Sequence, residues 1–225
     1  MPLVAGVDEA GRGPVLGPLV VAGVSVEDEA ALAALGVKDS KKLSPAKRTT
    51  LALRIREVAT RVSIRVVAPS DIDARMARMS LNQLEVEEYG AVLCDLVPPT
   101  VTDATCYVDA CDTDAARFGV QVGAKVGAHA RMVSAHKADD KYPVVSAASI
   151  LAKVTRDTLV ERLAEEYGCE VGSGYPSDPT TISFLEGYYK KNGALPPCAR
   201  TSWETCKRLL GPRTQARTLL DFGGS

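Results

Sequence analysis

Residues 6–18 read GVDEAGRGPVLGP. An apolar run from Leu3 to Val7 meets two adjacent carboxylates, Asp8 and Glu9, and then Gly11, Gly13, Gly17, Pro14 and Pro18 crowd into the next few positions. A solvated turn needs much less. Short, nearly continuous apolar runs mark strands covered on both faces, and PLVVAGVSV (18–26) is a second one. The stretch therefore predicts two buried strands, with the acids at the end of the first and the glycines in the turn between them.

Outward from that turn the pattern alternates between element types. EDEAALAAL (27–35) is helical and stops at Gly36, and SPAKRTTLALRIREVAT (44–60) opens with Ser44 as N-cap and Pro45 at the first helical position. RVSIRVVA (61–68) is β-branched and alternating, which predicts a third strand. SLNQLEVEEYGAVLCDL (80–96) predicts a helix with Leu81, Leu84, Val86, Val92 and Leu93 on or near one face. Two further strands are expected to end at Asp109 and close to Asp139. From Pro143 onward the chain is mainly helical, broken by the turn-rich GSGYPSDP (172–179). This order implies an α/β fold, with helices on both sides of a mixed sheet. No internal repeat is visible, and Gly211 and Pro212 separate a tail from the core.

At 225 residues, 46% hydrophobic and 24% charged, the chain can bury one substantial core as a compact domain or a domain with a small appendage. The formal net charge of -1 does not favour a polyanion globally, so nucleic-acid contacts would have to come from local basic clusters. Six cysteines lack any C-x-x-C pair, and His129 and His136 are not spaced like zinc ligands. Free thiols in a reducing cytoplasm are expected. No basic segment precedes the first apolar run, and the longest uncharged stretch, Pro14 to Val26, is about half of what a membrane span needs. The expectation is a cytoplasmic protein.

Asp8, Asp109 and Asp139 fall at or just beyond predicted strand ends, where ligand sites gather in open α/β sheets. Convergent carboxylates repel one another and resist ionising together. A hard divalent cation such as Mg²⁺ or Mn²⁺, which takes oxygen ligands, removes that conflict. Two such ions can activate a water and stabilise the leaving oxygen of a phosphodiester. The alternative is that each acid is a solvated loop residue or a cap. Asp112 and Asp114 suit capping of the helix that starts DAARFGV, and Asp140 neighbours a stronger candidate. Spacing alone does not choose among them.

GRGPVLG lacks the Gly-Lys-Ser/Thr ending of a P-loop and does not give G-x-G-x-x-G. Glycines also let backbone approach a ligand closely, and a 2′-hydroxyl, both donor and acceptor, suits a backbone clamp. A tight hairpin is the other meaning of such a loop. Basic residues group in KDSKKL (Lys38, Lys41, Lys42), and Ser146, Ser149, Lys153 and Arg156 recur at helical spacing. That stripe either follows a phosphate backbone or is the solvated face of a surface helix. Tyr175, inside a glycine and proline loop, is either a lid or a stacking platform.

Taken together, GVDEAGRGP, VKDSKKLSP, YVDACD, HKADDKYPVVSAASILAKVTRD and GSGYPSDP, in this order and at these separations, resemble type 2 ribonucleases H, most of all their archaeal branch. The resemblance runs from about Leu3 to about Leu210. It implies a ribonuclease H-like mixed sheet flanked by helices (1–170), a helical C-terminal portion closing the substrate groove (171–212) and a flexible tail (213–225). It implies an endoribonuclease that hydrolyses the RNA strand of RNA/DNA hybrids and incises 5′ of ribonucleotides embedded in duplex DNA, leaving 3′-hydroxyl and 5′-phosphate ends, as in ribonucleotide excision repair.

By motif, Asp8, Glu9, Asp109 and Asp139 become the catalytic acids and the ligands of two Mg²⁺ or Mn²⁺ ions. Gly11, Arg12 and Gly13 become the loop that reads the 2′-hydroxyl, and Tyr175 the ring that stacks on the sugar at the RNA–DNA junction. Lys41, Lys42 and Lys153 match basic positions near the phosphates. The tail ARTLLDFGG (216–224) resembles a sliding-clamp-binding peptide with Leu219 and Phe222 as plugs. It departs from the usual pattern, since Gln215 comes one residue early and Gly223 stands where a second aromatic is common. A monomer is expected, with no membrane partner. A DNA-cutting nuclease of the same fold and a non-catalytic hybrid-binding protein are the rival readings.

Overall fold

A computed structural model of the chain describes residues 2–38 and 44–211. The two apolar runs are strands β1 (Leu3–Ala10) and β2 (Leu19–Val26), paired antiparallel with Ala10 opposite Val20. β3 (Arg61–Val67) adds antiparallel to β2, while β4 (Ala104–Asp109) and β5 (Ala130–Ala135) add in parallel on the other side of β1. The order is β3-β2-β1-β4-β5, the mixed sheet expected. The helices are α1 (Glu29–Ala34), α2 (Pro45–Val58), α3 (Pro69–Met76), α4 (Leu81–Leu96), α5 (Ala115–Val126), α6 (Ala138–Lys141), α7 (Pro143–Tyr167), α8 (Pro179–Asn192) and α9 (Glu204–Leu210).

Both faces of the sheet are covered, which is why β1 and β2 read as continuous apolar runs. Leu3, Ala5, Val7, Leu19 and Val21 pack with α4 and α5, whereas Val20, Ala22, Val24 and Val26 pack with α1, α2 and α7. Each fully buried Val or Leu contributes about 1.5–3 kcal/mol. At Gly6, α7 crosses β1 so closely that a Cβ would lie 2.5 Å from the Val144 carbonyl carbon. Only glycine permits that approach.

Local chemistry sets the helix boundaries. The Ser44 side chain accepts from Lys47 N–H and Pro45 occupies the first turn, as predicted. Ser80 and Gln83 close a capping box at the start of α4. Asp114 caps α5, and Asp112 accepts from Asp114 N–H and from the Arg117 guanidinium at 2.7 and 2.8 Å. These two acids are caps, one of the two readings open for them.

One boundary differs from expectation. β5 ends at Ala135, and Asp139 lies on the helical turn α6, after Lys137 has reversed the chain with a φ of 54°. The chain beyond α7 packs on a third cluster in which Val15 and Leu16 of the β1–β2 loop meet Val160, Val171, Leu185 and Cys198. The C-terminal part thus grips the glycine loop. All six cysteines are free, and among the described residues no helix is long and apolar enough to cross a membrane.

Candidate active site

The register of the central pair builds the site. β1 and β4 run parallel with Val7 opposite Val108, so Asp8 and Asp109 stand side by side at the carboxyl ends of neighbouring strands. Successive strand residues point to opposite faces. Asp8 therefore lies on the α7 face, where it accepts a hydrogen bond from Ser149, and Glu9 lies on the α4 face. Asp109 Oδ1 accepts from Ala138 N–H at 2.6 Å, which anchors the turn that carries Asp139. The main-chain oxygen of Asp139 in turn accepts from the Ser146 hydroxyl.

Asp8 is 6% exposed, and its Oδ1 accepts from Glu9 N–H at 2.7 Å. Burial raises its carboxyl well above the usual range, repulsion by Asp109 and then Glu9 adds to this, and the Ser149 and Glu9 hydrogen bonds oppose it. Burial likewise pushes Glu9 up to about 7, against the pull of Arg12 and Arg200. Glu9 Oε2 has no hydrogen-bond partner. Desolvated, mutually repelling carboxylates with an unsatisfied oxygen form a hard, all-oxygen donor set, which suits Mg²⁺ or Mn²⁺. Among the described residues no three Asp, Glu, His or Cys side chains are grouped closely enough to hold an ion.

Gly11 has a φ of +98°, which a side chain rarely adopts, and a Cβ there would lie 2.6 Å from Arg156 Nε and from Pro18 O. Arg12 turns back onto α4, where its guanidinium pairs with Glu85 and donates to Asn82 Oδ1 at 2.6 Å. A Cβ on Gly13 would sit 3.5 Å from Tyr175 Cε1. Gly174 O accepts from Val15 N–H at 2.8 Å, which ties the Tyr175 loop to the glycine loop. The fold thus joins the acids, the glycine loop and Tyr175. Lys153 is half exposed one turn beyond Ser149 and pairs with Asp157 at 3.1 Å. Lys41, Lys42, Leu219 and Phe222 lie outside the described residues.

The polar stripe on α7 turns out differently from both readings given for it. Ser146 and Arg156 are buried, Ser149 bonds to Asp8, and Lys153 is the member left at the surface. Glu85, Tyr89 and Arg200 are parts of the site that sequence reasoning missed. Tyr89 is fully buried against Phe118, and burial, with Cys111, Asp8, Glu9 and Asp109 nearby, raises its hydroxyl well above the usual value. A signal for the first two existed, because Glu85 and Tyr89 continue the Leu81 row of α4 at helical spacing, and a carboxylate on a core-facing row needs a partner. Arg200, in the irregular PPCARTSW, offers none.

The model of the family described as Ribonuclease HII matches residues 5–206. Ribonuclease HII of Methanocella arvoryzae is 47% identical over 95% of this chain and 94% of its own. The crystal structure of ribonuclease H2 from Pyrococcus horikoshii superposes with a TM-score of 0.86 at 44% identity, covering 92% of this chain and 97% of that one. The ribonuclease HII in the PCNA:RNase HII complex from Archaeoglobus fulgidus gives 0.82 at 43% identity, covering 92% and 96%. A match running from β1 into α9, together with relatives that share almost half their residues over nine-tenths of the chain, makes this protein a member of the ribonuclease HII family and an endoribonuclease of RNA/DNA hybrids.

Proposed function

We propose that this endoribonuclease also incises 5′ of single ribonucleotides embedded in duplex DNA, and that it uses two divalent ions to do so. The observation that supports the reading is the approach of the Tyr175 ring to Gly13, where a Cβ would sit 3.5 Å from Cε1, on the loop that follows the buried acids Asp8 and Glu9. A backbone suited to a 2′-hydroxyl, a ring suited to a sugar and oxygens suited to metal would then serve one substrate.

Asp8, Glu9, Asp109 and Asp139 would hold the ions, Mg²⁺ or Mn²⁺. Bound there, such ions lower the pKa of an attacking water and stabilise the departing 3′-oxygen. Asp8, repelled by both Asp109 and Glu9, would be a ligand whose charge a bound ion relieves. Ser149 orients Asp8, and the Ala138 amide orients Asp109. Gly11, Arg12 and Gly13 bring backbone against the ribose while the Arg12 side chain is turned away into α4. Tyr175, 43% exposed, offers its face to the junction sugar. Lys153 supplies charge for a phosphate, with Lys41 and Lys42 as further candidates.

The decisive assay compares a DNA duplex carrying one ribonucleotide with the same duplex in all-deoxy form, each with Mg²⁺, with Mn²⁺ and with chelator. Metal-dependent cutting of the first duplex alone, leaving 3′-hydroxyl and 5′-phosphate ends, is expected. Equal cutting of both duplexes would disprove ribose reading, and cutting in chelator would disprove the metal role. Leu219 and Phe222 are proposed to plug a sliding clamp, as support for which a relative from Archaeoglobus fulgidus forms a complex with PCNA. Calorimetric titration of a clamp with peptide 213–225 and with its Leu219→Ala/Phe222→Ala form tests this, with binding expected only for the first.

A further inference from the structure

Two guanidiniums lie beneath the glycine loop, 4% and 0% exposed, out of reach of any substrate. Arg156 of α7 donates from Nη2 to Leu16 O at 3.4 Å and to Ser173 O at 3.2 Å, and its Cζ lies 5.6 Å from the centre of the Tyr175 ring. Arg200, in the segment before α9, donates from Nε to Gly17 O at 2.9 Å and from Nη1 to Arg12 O at 3.3 Å. Its own N–H donates to Val15 O at 2.8 Å, and its Cζ lies 4.9 Å over the Trp203 ring. One residue thus holds three carbonyls of a loop more than 180 positions away in sequence.

Burying a guanidinium is costly, and desolvation lowers its pKa to about 10. An apolar side chain of similar length would fill the same space at lower cost. What such a side chain cannot do is reach Arg12 O and Gly17 O together, which takes the planar fork of arginine. Those two carbonyls bracket the loop, the first of them between Gly11 and Gly13. Arg156 meanwhile ties the far side of the same loop to the turn that carries Tyr175.

We propose that Arg200 is a positioning residue for ribose recognition, which sets the stance of the Gly11–Gly13 backbone relative to Tyr175 and so the preference for a single ribonucleotide within DNA. This rests on the ribose-reading role given above to that loop. A continuous hybrid presents a ribose in every register, so a displaced loop still finds one. A duplex with one ribonucleotide offers a single productive register, and it is therefore the substrate that suffers when the loop shifts.

The test uses the full chain as Arg200→Lys and Arg200→Met, with both substrates competing in one tube. The ratio of kcat/KM for the embedded ribonucleotide to that for the hybrid does not depend on the fraction of enzyme that is folded. It should fall about tenfold in Arg200→Lys, the equivalent of one charge-assisted hydrogen bond, and further in Arg200→Met. A wild-type ratio in Arg200→Lys, whatever the absolute rates, overturns the proposal and leaves Arg200 as a support of the fold only. Should Arg200→Met fail to fold, Arg200→Lys, which keeps the charge but not the planar fork, still decides. Failure of the underlying reading looks different, because wild-type enzyme would then cut the all-deoxy duplex as well.

Discussion

Arg12 of the glycine loop and Glu85 of α4 form an ion pair across 73 residues of sequence, with the carboxylate fully buried and the guanidinium one-third exposed. Glu85 Oε1 has no hydrogen-bond partner, so the pair holds its acid in place through one oxygen. Removing either partner has unequal consequences. Arg12→Ala leaves a buried charge uncompensated and should destabilise the fold by about 3 kcal/mol. Glu85→Ala leaves a cation that water can reach, and should cost about 1–2 kcal/mol. Urea denaturation followed by circular dichroism distinguishes the two, and equal losses would show that the burial of Glu85 does not govern the pair.

Two glycines of one loop should respond in opposite ways to the same substitution. Gly11→Ala meets a strained φ and backbone at 2.6 Å, and should destabilise by about 1–3 kcal/mol. Gly13→Ala adds a methyl in ordinary contact with Tyr175 at 3.5 Å, so its melting temperature should stay near wild type. On the proposed ribose-reading role of the loop, that methyl would nonetheless stand where a ribose passes. Cleavage of the embedded ribonucleotide should fall about a hundredfold, the scale of an ångström of misplacement. A melting curve and a cleavage assay on each variant check this.

Metal-free protein should lose stability as pH rises. Glu9 titrates near 7 when folded against 4.5 ordinarily, and Asp8 is displaced in the same direction. The folded chain therefore binds more protons than the unfolded chain between about 4.5 and 7, and the stability linked to these acids is complete below that window and lost through it. Asp8→Asn should raise the melting temperature in chelator at pH 8 and flatten the slope, while reducing cleavage at least about a thousandfold. Calorimetry from pH 5 to pH 8 measures the slope. A slope in Asp8→Asn equal to that of wild type would show that the buried Asp8 carboxyl does not contribute to it.

Tyr175 separates stacking from hydrogen bonding. If the ring serves as a platform, Tyr175→Phe should keep most activity and Tyr175→Ala should lose about tenfold to a hundredfold, as deletion of one stacking contact does. The readout is kcat/KM on the embedded ribonucleotide. Equal damage from both changes would assign the role to the hydroxyl instead.

Local physics made much of this legible in the residues themselves. Continuous apolar runs marked β1 and β2 as doubly covered strands, Ser44 and Pro45 marked the start of α2, and the order of elements marked a mixed α/β sheet. The family blocks selected Asp8, Glu9, Asp109 and Asp139 where spacing could not. Each of these signals resides in neighbouring side chains or in a recurring pattern, so it survives without coordinates.

What only the tertiary structure decided is which partners meet. The parallel register of β1 with β4 set Asp8 beside Asp109. The packing of the C-terminal segment buried Arg200 under a loop more than 180 residues earlier, and α4 buried Glu85 against Arg12. The α7 stripe, which looked solvated or phosphate-bound, became largely internal, with Ser146 bonded to the Asp139 turn, Ser149 to Asp8 and Arg156 to the turn that carries Tyr175. Periodicity states how a helix or strand faces itself. Whether a charged face meets water, a carbonyl or another charge depends on chain brought from far away, and no local pattern encodes that.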